Sequence, residues 1–385
     1  MFEPGSGTGS RAPSVAEALS ITFVSPFAAL AGSEQYLGLV LDGLPDEWIQ
    51  QVVFLEDGPF VEEVRERGHR VTVLPTSARP PGLLRSARRL RSLLAGGRAD
   101  LVHANGIKAA LVSVLATVGT GTRVVWVKHD LSFDRSLARL VALRCRLVIG
   151  VSRAATRIFK GRLRRKVHIV PNGLPPIHAD RDAGRALVSA RLGLRDGDRV
   201  AALVGRLYAM KGQHELVEIA PQLVERVPGL RLALVGGDDP KEPEYAEAVR
   251  GRVRELGVED AVSFVGQVDD AALFVAGCDL VVVPSVPAER GNTESFSLAA
   301  LEAMAVGTPI VAYAEGGLPE VLGECAVLVP TGDRARLREA IVELIEDESA
   351  QRRLAACGRQ RAAQEFSVER MIDSLVGCYR EAAAR

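Results

Sequence analysis

The loop after the apolar run Val200–Val204 carries two cations that could hold a diphosphate. Arg206 follows Gly205 directly, and Lys211 stands just before the helical pattern that begins at Gln213. An arginine can grip a phosphate through two parallel hydrogen bonds, a lysine acts as a point charge, and a helix N-terminus attracts an anion. The loop therefore predicts a diphosphate site, and a solvated loop with incidental charges is the alternative.

Two glutamates, Glu294 and Glu302, flank the start of a predicted helix within the stretch E-S-F-S-L-A-A-L-E. Ser295 or Ser297 can cap this helix, and its free amide groups would face an anion. At 1.5 Å per residue, the two carboxylates could lie roughly 10–12 Å apart, which approximates a nucleoside diphosphate sugar from ribose to hexose. One carboxylate could accept the ribose hydroxyls and the other the sugar hydroxyls. Taken alone, two surface glutamates are the commoner explanation of this spacing.

Short apolar runs alternate with longer amphipathic segments and would position these residues. In the first half we predict strands at Ser20–Pro26, Gln51–Leu55, Arg70–Leu74, Leu101–His103, Val124–Lys128 and Leu147–Val151, and helices at Gly32–Leu41, Phe60–Arg67, Leu83–Leu94 and Ala109–Val118. In the second half we predict strands at Val200–Val204, Arg231–Val235, Val262–Val265, Leu280–Pro284 and Pro309–Ala312, helices at Gln213–Arg226, Tyr245–Leu256, Asp270–Ala276 and Leu298–Ala305, and a long helical tail from Asp333. This order is typical of an α/β fold with a doubly wound parallel sheet in each half.

The length of 385 residues predicts two domains. The turn-rich segment VPNGLPP separates them, so we expect an N-terminal domain at 20–170 and a second domain from residue 171. Residues 1–19 are rich in Gly, Ser and Pro, lack the apolar segment of a signal peptide, and predict a disordered tail. Two such domains facing each other would leave a cleft, and ligands of open α/β sheets bind at the carboxyl ends of the strands.

Composition excludes several classes of protein. Lys plus Arg equal Asp plus Glu at 48 each, which disfavours a dedicated nucleic-acid binder. No run of about 18 apolar residues predicts a membrane-spanning helix. The cysteines are scattered without a C-x-x-C pair, so we expect buried thiols, no disulfide framework, no metal site and a cytoplasmic location; they are Cys145, Cys278, Cys325, Cys357 and Cys378.

Motifs for other enzyme classes are missing from the sequence. The segment Gly5–Gly9 is similar to a dinucleotide loop, but no strand precedes it. There is no Walker lysine motif, no H-E-x-x-H and no G-x-S-x-G, and the histidines never cluster at metal-ligand spacing. Oxidoreductase, P-loop kinase and serine hydrolase are therefore disfavoured.

Several stretches together resemble the signature of retaining GT-B glycosyltransferases of family 4. They are PSVPAERGNTESFSLAALEAMAVGTPIVAYAEGGLPEVL, VGRLYAMKG, FVGQV, VPNG and FSVERM in the second half, and AGSE, KHD and GVS in the first. The resemblance covers essentially Ser20 to the end. It implies two Rossmann-like domains facing across a cleft, a donor domain at 171–365, and a C-terminal helix at 366–385 that returns to the N-terminal domain.

The implied activity is transfer of a hexose-type sugar from a nucleoside diphosphate sugar to an acceptor hydroxyl. The resemblance implies retention at the anomeric carbon, no cofactor and no metal, with UDP or GDP as the expected carrier of the sugar. A sugar-nucleotide epimerase or a phosphorylase on the same fold, or a non-catalytic GT-B binding protein, is the alternative. Intact Arg206, Lys211, Glu294 and Glu302 argue against the non-catalytic reading.

The resemblance also implies roles for individual residues. Arg206 and Lys211 would hold the diphosphate, Glu302 the ribose hydroxyls and Glu294 the donor sugar near the reacting carbon. His129 would reach that sugar from the N-terminal domain, and a core histidine is the alternative. Further donor contacts are implied at Gly32, Gly205, Gly266, Val268, Phe296, Ser297 and Leu298, with Gly316 and Gly317 in a turn close by. Two departures from the family pattern, Ala31 before Gly32 and E-S-F-S for E-G-F-G, narrow the backbone's access to the donor.

Acceptors in this fold bind mainly to the N-terminal domain. Candidate contacts at strand ends there are His103, Asn105, Lys108 and Asp130, and loop residues satisfied by the backbone are an equal alternative. Residues 1–170 carry 24 basic and 14 acidic side chains, a net charge of +10, so the remainder carries 24 and 34, or −10. Basic helices in the first half could meet an anionic membrane or a phosphorylated acceptor, and a solvated helix face is the alternative. We expect no nucleic-acid partner and no obligate protein partner.

Overall fold

The computed structural model describes residues 18–29, 32–77, 79–134, 136–288 and 293–384. Most of the predicted disordered tail, the segment Gly5–Gly9 and Ala31 therefore lie outside the described residues. Two parallel β-sheets form the framework, one in each half of the chain.

The first sheet has seven strands in the order β3-β2-β1-β4-β5-β6-β7. Its strands are β1 (Ile21–Ser25), β2 (Ile49–Phe54), β3 (Val71–Val73), β4 (Leu101–Asn105), β5 (Arg123–Lys128), β6 (Leu147–Gly150) and β7 (Val167–Ile169). The helices are α1 (Gly32–Gly43), α2 (Pro59–Glu66), α3 (Pro80–Gly97), α4 (Ile107–Ala116), α5 (Ala138–Arg144) and α6 (Arg153–Thr156), with short 3₁₀ turns at Asp46–Trp48 and Gly161–Lys166. Separate apolar clusters cover the two faces, which is why the central strands consist of continuous apolar runs.

The second sheet has six strands in the order β10-β9-β8-β11-β12-β13. Its strands are β8 (Arg199–Val204), β9 (Leu230–Val235), β10 (Val262–Gly266), β11 (Leu280–Val283), β12 (Ile310–Tyr313) and β13 (Val327–Val329). The helices are α7 (Arg181–Leu192), α8 (Gln213–Arg226), α9 (Pro243–Glu255), α10 (Ala271–Ala276), α11 (Leu298–Val306), α12 (Leu318–Leu322), α13 (Arg334–Glu346), α14 (Glu348–Glu365) and α15 (Val368–Ala383), with a 3₁₀ turn at Ala209–Lys211.

The strand order reverses between β1 and β4 in the first sheet and between β8 and β11 in the second. At such a reversal the neighbouring connections run to opposite faces, which opens a crevice at the carboxyl ends of the strands. Asn105 ends β4, while the loops after β8 and β11 carry Arg206, Lys211 and Glu294. The topology therefore puts most of the sequence-predicted site residues at the two crevices.

The C-terminal helix α15 packs against the first sheet, as the fold-class prediction expected. Met371, Ile372, Leu375 and Tyr379 are buried in the same apolar cluster as residues of α1 and β1. The long helical tail predicted from Asp333 consists of three helices, α13, α14 and α15. Asp347 and Ser367 each accept a hydrogen bond from a main-chain N–H three residues further on, and so begin α14 and α15.

The expectation that every cysteine is a free thiol is also wrong. Cys325 and Cys357 form a disulfide, with their Cα atoms 5.2 Å apart. The pairing joins the loop after α12 to α14, and residues 32 positions apart are brought together by helix packing rather than by a sequence pattern. The other three cysteines are buried free thiols, as expected. None of the helices in the described ranges is long and apolar enough to cross a membrane.

Candidate functional site

The two halves contact each other where the crevices face. A side chain at Gly32, the first residue of α1, would stand 3.3 Å from the Leu298 side chain at the start of α11. Glu320 of α12 accepts hydrogen bonds from the main-chain N–H groups of Arg153 and Ala154, each at 2.8 Å. The starts of α1 and α11 therefore form opposite walls of one cleft.

Lys211 and Glu294 form the central ion pair of the C-terminal wall. Lys211 Nζ lies 2.6 Å from Glu294 Oε2, and the glutamate side chain is only 8% exposed. Gly212 has a φ of +73°, and a Cβ there would stand 1.9 Å from the Pro284 carbonyl oxygen, so only glycine fits. This close approach of two loops brings together residues that are 83 positions apart.

Arg206 is held by Asp239, a residue that the sequence interpretation missed. Arg206 Nη1 lies 2.6 Å from Asp239 Oδ2; the arginine side chain is 61% exposed and the aspartate 4%. Gly205 precedes the arginine, and its carbonyl oxygen would be 2.2 Å from a Cβ at Gly236, so the loops after β8 and β9 are in close contact. The only sequence signal was an acidic pair, GGDDP, directly after a predicted strand.

The start of α11 lies at the cleft, beside Gly32. Of the two predicted caps it is Ser297 that acts, accepting a hydrogen bond from Ala300 N at 3.3 Å. Phe296 and Leu298 flank the cap. Side chains at Gly316 and Gly317 would stand 2.1 Å and 2.0 Å from carbonyl oxygens of residues 294 and 295, so this turn supports the loop that carries Glu294.

Glu302 lies one turn into α11 and lines a cavity of about 340 Å³ that also contacts Gly32 and Leu298. Burial raises the pKa of Glu302, and the nearby Asp270 raises it further. Asp270 caps α10 just beyond β10 and the predicted nucleobase segment, which contains Gly266 and Val268. The electrostatic coupling therefore puts Glu302 near that segment.

His129 lies on the N-terminal wall, directly after β5. Its Nε2 is 2.5 Å from Asn105 Oδ1, and the Asn105 amide nitrogen donates to the Ser33 carbonyl oxygen at 3.0 Å. Because that amide oxygen can only accept, the histidine carries its proton on Nε2 and leaves Nδ1 as an acceptor. Burial lowers the pKa of His129 to about 4, and the effect of Lys128 in the same direction opposes that of Asp130. The imidazole is therefore neutral at pH 7.

The four predicted acceptor residues occupy different environments. His103 is 0% exposed and its Nδ1 lies 2.6 Å from the Tyr379 hydroxyl, so the ring is enclosed in this structure, and its acceptor contact stays a prediction. His103 precedes Asn105 by two positions on β4, so both side chains point to the same face of the sheet, but His103 lies further from the carboxyl end of the strand. Asn105 positions His129. Lys108 and Asp130 line a cavity of about 440 Å³ beside His129.

Two family models match the chain. "Glycosyl transferases group 1" matches residues 185–361 and "Glycosyltransferase Family 4" matches residues 30–176. A D-inositol 3-phosphate glycosyltransferase of Saccharomonospora viridis is 30% identical over 356 residues, which cover 85% of this chain and 78% of that one. The same-named protein of Mycobacteroides abscessus is 36% identical, over 52% of this chain and 43% of its own length.

Solved structures share the two-sheet architecture. HepE of Anabaena in complex with UDP has a TM-score of 0.81 at 24% identity, over 94% of this chain and all of that one. Sucrose-phosphate synthase of Thermosynechococcus elongatus has a TM-score of 0.74 at 23% identity, over 94% of this chain and 98% of that one. The predicted GT-B fold is confirmed. Because the family models extend across both sheets and a relative matches over most of both chains, the chain belongs to the group 1 glycosyltransferases, the family that the sequence predicted.

Proposed function

We propose that this glycosyltransferase moves a hexosyl group from a nucleoside diphosphate sugar to an acceptor hydroxyl, with retention and without a metal ion. The observation that carries the proposal is the 2.6 Å pair between Lys211 and Glu294, beside the Arg206 loop and the capped start of α11. In this arrangement the cation that would meet a phosphate and the carboxylate that would meet a sugar are adjacent.

The ion pairs suggest how the donor binds. A diphosphate carries more charge than one carboxylate, so it would draw the Lys211 ammonium from Glu294 toward its oxygens. The freed carboxylate would then accept hydrogen bonds from sugar hydroxyls. Asp239, which pairs with Arg206, would hold the arginine for the same anion, and the amide groups at the start of α11 would add attraction. Glu302 would accept the ribose hydroxyls.

The chemistry follows from these positions. The bond between the anomeric carbon and the diphosphate oxygen breaks while the acceptor oxygen bonds to the same face of that carbon, and the leaving phosphate takes the acceptor's proton. Lys211, Arg206 and the helix amides stabilise the negative charge that develops on the leaving diphosphate. The neutral His129 offers Nδ1 to a sugar hydroxyl, because its other nitrogen is bound to Asn105.

UDP is the first carrier to test, because HepE of Anabaena was solved with UDP and with UDP-glucose. The relatives' acceptor, D-inositol 3-phosphate by their name, is a candidate for comparison. The alignments of several relatives cover about half of their length, so the acceptor of this chain needs its own evidence. The cytoplasmic location and the contact with an anionic membrane stay predictions.

The test is calorimetric titration with UDP, GDP, ADP and dTDP, followed by an assay of UDP release from UDP-glucose. Lys211→Ala should lower turnover by about a thousandfold, because removing a charge-stabilising donor from a developing anion costs about two to three orders of magnitude. Lys160→Ala, an exposed lysine on the N-terminal domain, is the matched control. Near-wild-type turnover of Lys211→Ala would remove the diphosphate role. Inversion at the anomeric carbon, observed by NMR of the product, would remove the retaining mechanism.

A further inference from the structure

The cavity beside His129 has one polar wall and several apolar walls. Its volume is about 440 Å³, within the range of small-molecule sites. The polar wall holds Ser33, Asn105 and His129, where the proposed function puts the reacting sugar. Lys108, Lys128, Asp130 and Ser132 also line the cavity. The remaining walls are mostly apolar, with Phe27, Leu83, Ile107, Leu111, Phe133 and Leu137 among them.

Both aromatic side chains of this lining are exposed to solvent. Phe133 is 57% exposed and Phe27 is 44% exposed. The Lys108 ammonium lies 5.9 Å from the centre of the Phe27 ring, and Lys241 of the C-terminal half lies 5.8 Å from it. Phe27 therefore stands at the seam where the donor half meets the cavity.

Phe133 has the backbone geometry of a strained residue. Its φ is +60°, in the left-handed region that bulky side chains rarely adopt. The surrounding loop enforces this geometry: Lys128 Nζ lies 2.7 Å from Asp134 Oδ1, and the Phe133 carbonyl accepts hydrogen bonds from Ser136 N and Ala138 N. Lys128, the last residue of β5, is 1% exposed, so this ion pair fixes the loop to the buried end of that strand. Strained backbone geometry is concentrated at ligand-binding sites, so the exposed Phe133 ring at this cavity mouth is a candidate binding group.

We infer that the acceptor carries an apolar group, and that this group binds in the cavity while the acceptor hydroxyl faces His129. The inference rests on the proposed function and names the substrate class of the same site. An inositol phosphate could meet Lys108, but it would gain little from the apolar walls at Leu83, Leu111 and Leu137. An aromatic or isoprenoid alcohol would bury apolar surface against those walls.

The geometry of α5 indicates how far the apolar surface continues. Leu140 and Leu143 follow Leu137 at intervals of three residues, and all three are exposed. Residues three apart lie on one side of a helix, so an apolar strip leads from the cavity mouth onto the surface. The acceptor's apolar group is therefore either the ring system of a soluble molecule that fills the cavity or the first part of a lipid chain that continues along this strip.

The binding test uses 2-naphthol, followed by its own fluorescence, with the full chain saturated with UDP. Leu137→Ser should weaken binding about tenfold, because a leucine side chain that the ligand covers contributes on the order of 1.4 kcal/mol. Leu140→Ser, on the same helix but outside the cavity lining, should bind as wild type does. Unchanged binding by Leu137→Ser, or displacement of naphthol by D-inositol 3-phosphate at lower concentration than by farnesol, would overturn the inference.

Phe133→Gly separates binding from folding. Glycine adopts a positive φ without strain, so the unfolding temperature should not fall, while naphthol binding should weaken about tenfold. A variant that loses stability but binds naphthol as wild type does would show that the ring only supports the fold, and would overturn its role.

Vesicles distinguish the two sources of the apolar group. Phosphatidylcholine vesicles with and without farnesol are compared by co-sedimentation of wild type, Leu137→Ser and Leu140→Ser. Farnesol-dependent binding that both variants weaken supports a lipid alcohol; naphthol binding without any farnesol-dependent sedimentation supports a soluble molecule. UDP titration of wild type and of each variant distinguishes this inference from the proposed function. If wild type binds UDP but not naphthol, only this inference is overturned. If wild type does not bind UDP, the proposed function is overturned.

Discussion

The two walls of the cleft hold their polar side chains in different ways. On the C-terminal wall, Lys211 and Arg206 are each paired with a carboxylate at 2.6 Å. On the N-terminal wall, burial keeps His129 neutral, Asn105 fixes its tautomer, and the cavity next to it is mostly apolar. A highly charged ligand can exchange partners with an ion pair, whereas an apolar wall selects by shape and burial. This difference is the basis of both proposals, which put the diphosphate at one wall and an apolar acceptor group at the other.

The largest effect is expected from a variant that removes the charge of Glu294 and keeps its shape, which tests the role of the C-terminal wall. We expect Glu294→Gln to lower turnover about a thousandfold, since the sugar loses a charged acceptor at the reacting carbon. UDP affinity should not fall, because Lys211 is released from its partner for the diphosphate. Turnover and calorimetric UDP affinity are measured on the same preparation.

Glu324→Gln, an exposed glutamate on the loop after α12, is the control for a charge change in the same domain. An equal loss of UDP affinity and turnover in Glu294→Gln would mean that Glu294 supports the structure of the diphosphate site and does not bind the sugar.

Acid should affect the N-terminal half first. Burial lowers the pKa of His103 to about 3 and that of His129 to about 4, below the value near 6.5 of an unfolded histidine. Between pH 6.5 and 4 the unfolded chain binds more protons at these sites, so stability is full above pH 6.5 and falls as the pH drops. Buried His103 alone accounts for roughly 3 kcal/mol over this window.

The C-terminal half loses stability only in a more acidic window. Burial raises the pKa of Glu215, but hydrogen bonds from His214, Arg334 and Tyr313 outweigh burial and lower this pKa to about 2. The contribution of Glu215 to stability therefore persists down to about pH 4.5 and is lost below that. Hydrogen exchange, corrected for intrinsic rates, should show β4 and α15 losing protection before α8 and α13. Simultaneous loss in both halves above pH 4.5 would contradict the assignment.

The smallest effect is expected from a variant that tests how the exposed Arg206 is positioned. Asp239→Asn should raise the KM for the donor about tenfold and leave kcat nearly unchanged, because Arg206 keeps its charge but loses the partner that aims it. Asp238→Asn is the matched control, since Asp238 pairs with Arg250 outside this pair. If both variants behave alike, Asp239 contributes only net charge and does not position Arg206.

Much of the fold could be predicted from the sequence because strands and helices are contiguous segments with their own apolar pattern. Alternating apolar runs and helices predicted both parallel sheets, and the cap before α11 was narrowed to two serines. Short or weak segments were missed: β7 and β13 have three residues each, and α5 and α7 were not predicted. Three-residue edge strands and half-polar helices leave little periodicity to detect.

The sequence by itself determined the two-sheet fold, the Arg206 and Lys211 loop, and the two glutamates around α11. These depend on local periodicity and on the chemistry of a helix start. Only the tertiary structure decided which side chains meet: Lys211 with Glu294, Arg206 with Asp239, and His129 with Asn105. It also buried His103 away from the cleft and joined Cys325 to Cys357. The physical reason is distance along the chain, because contacts between residues tens of positions apart depend on packing that no short sequence pattern records.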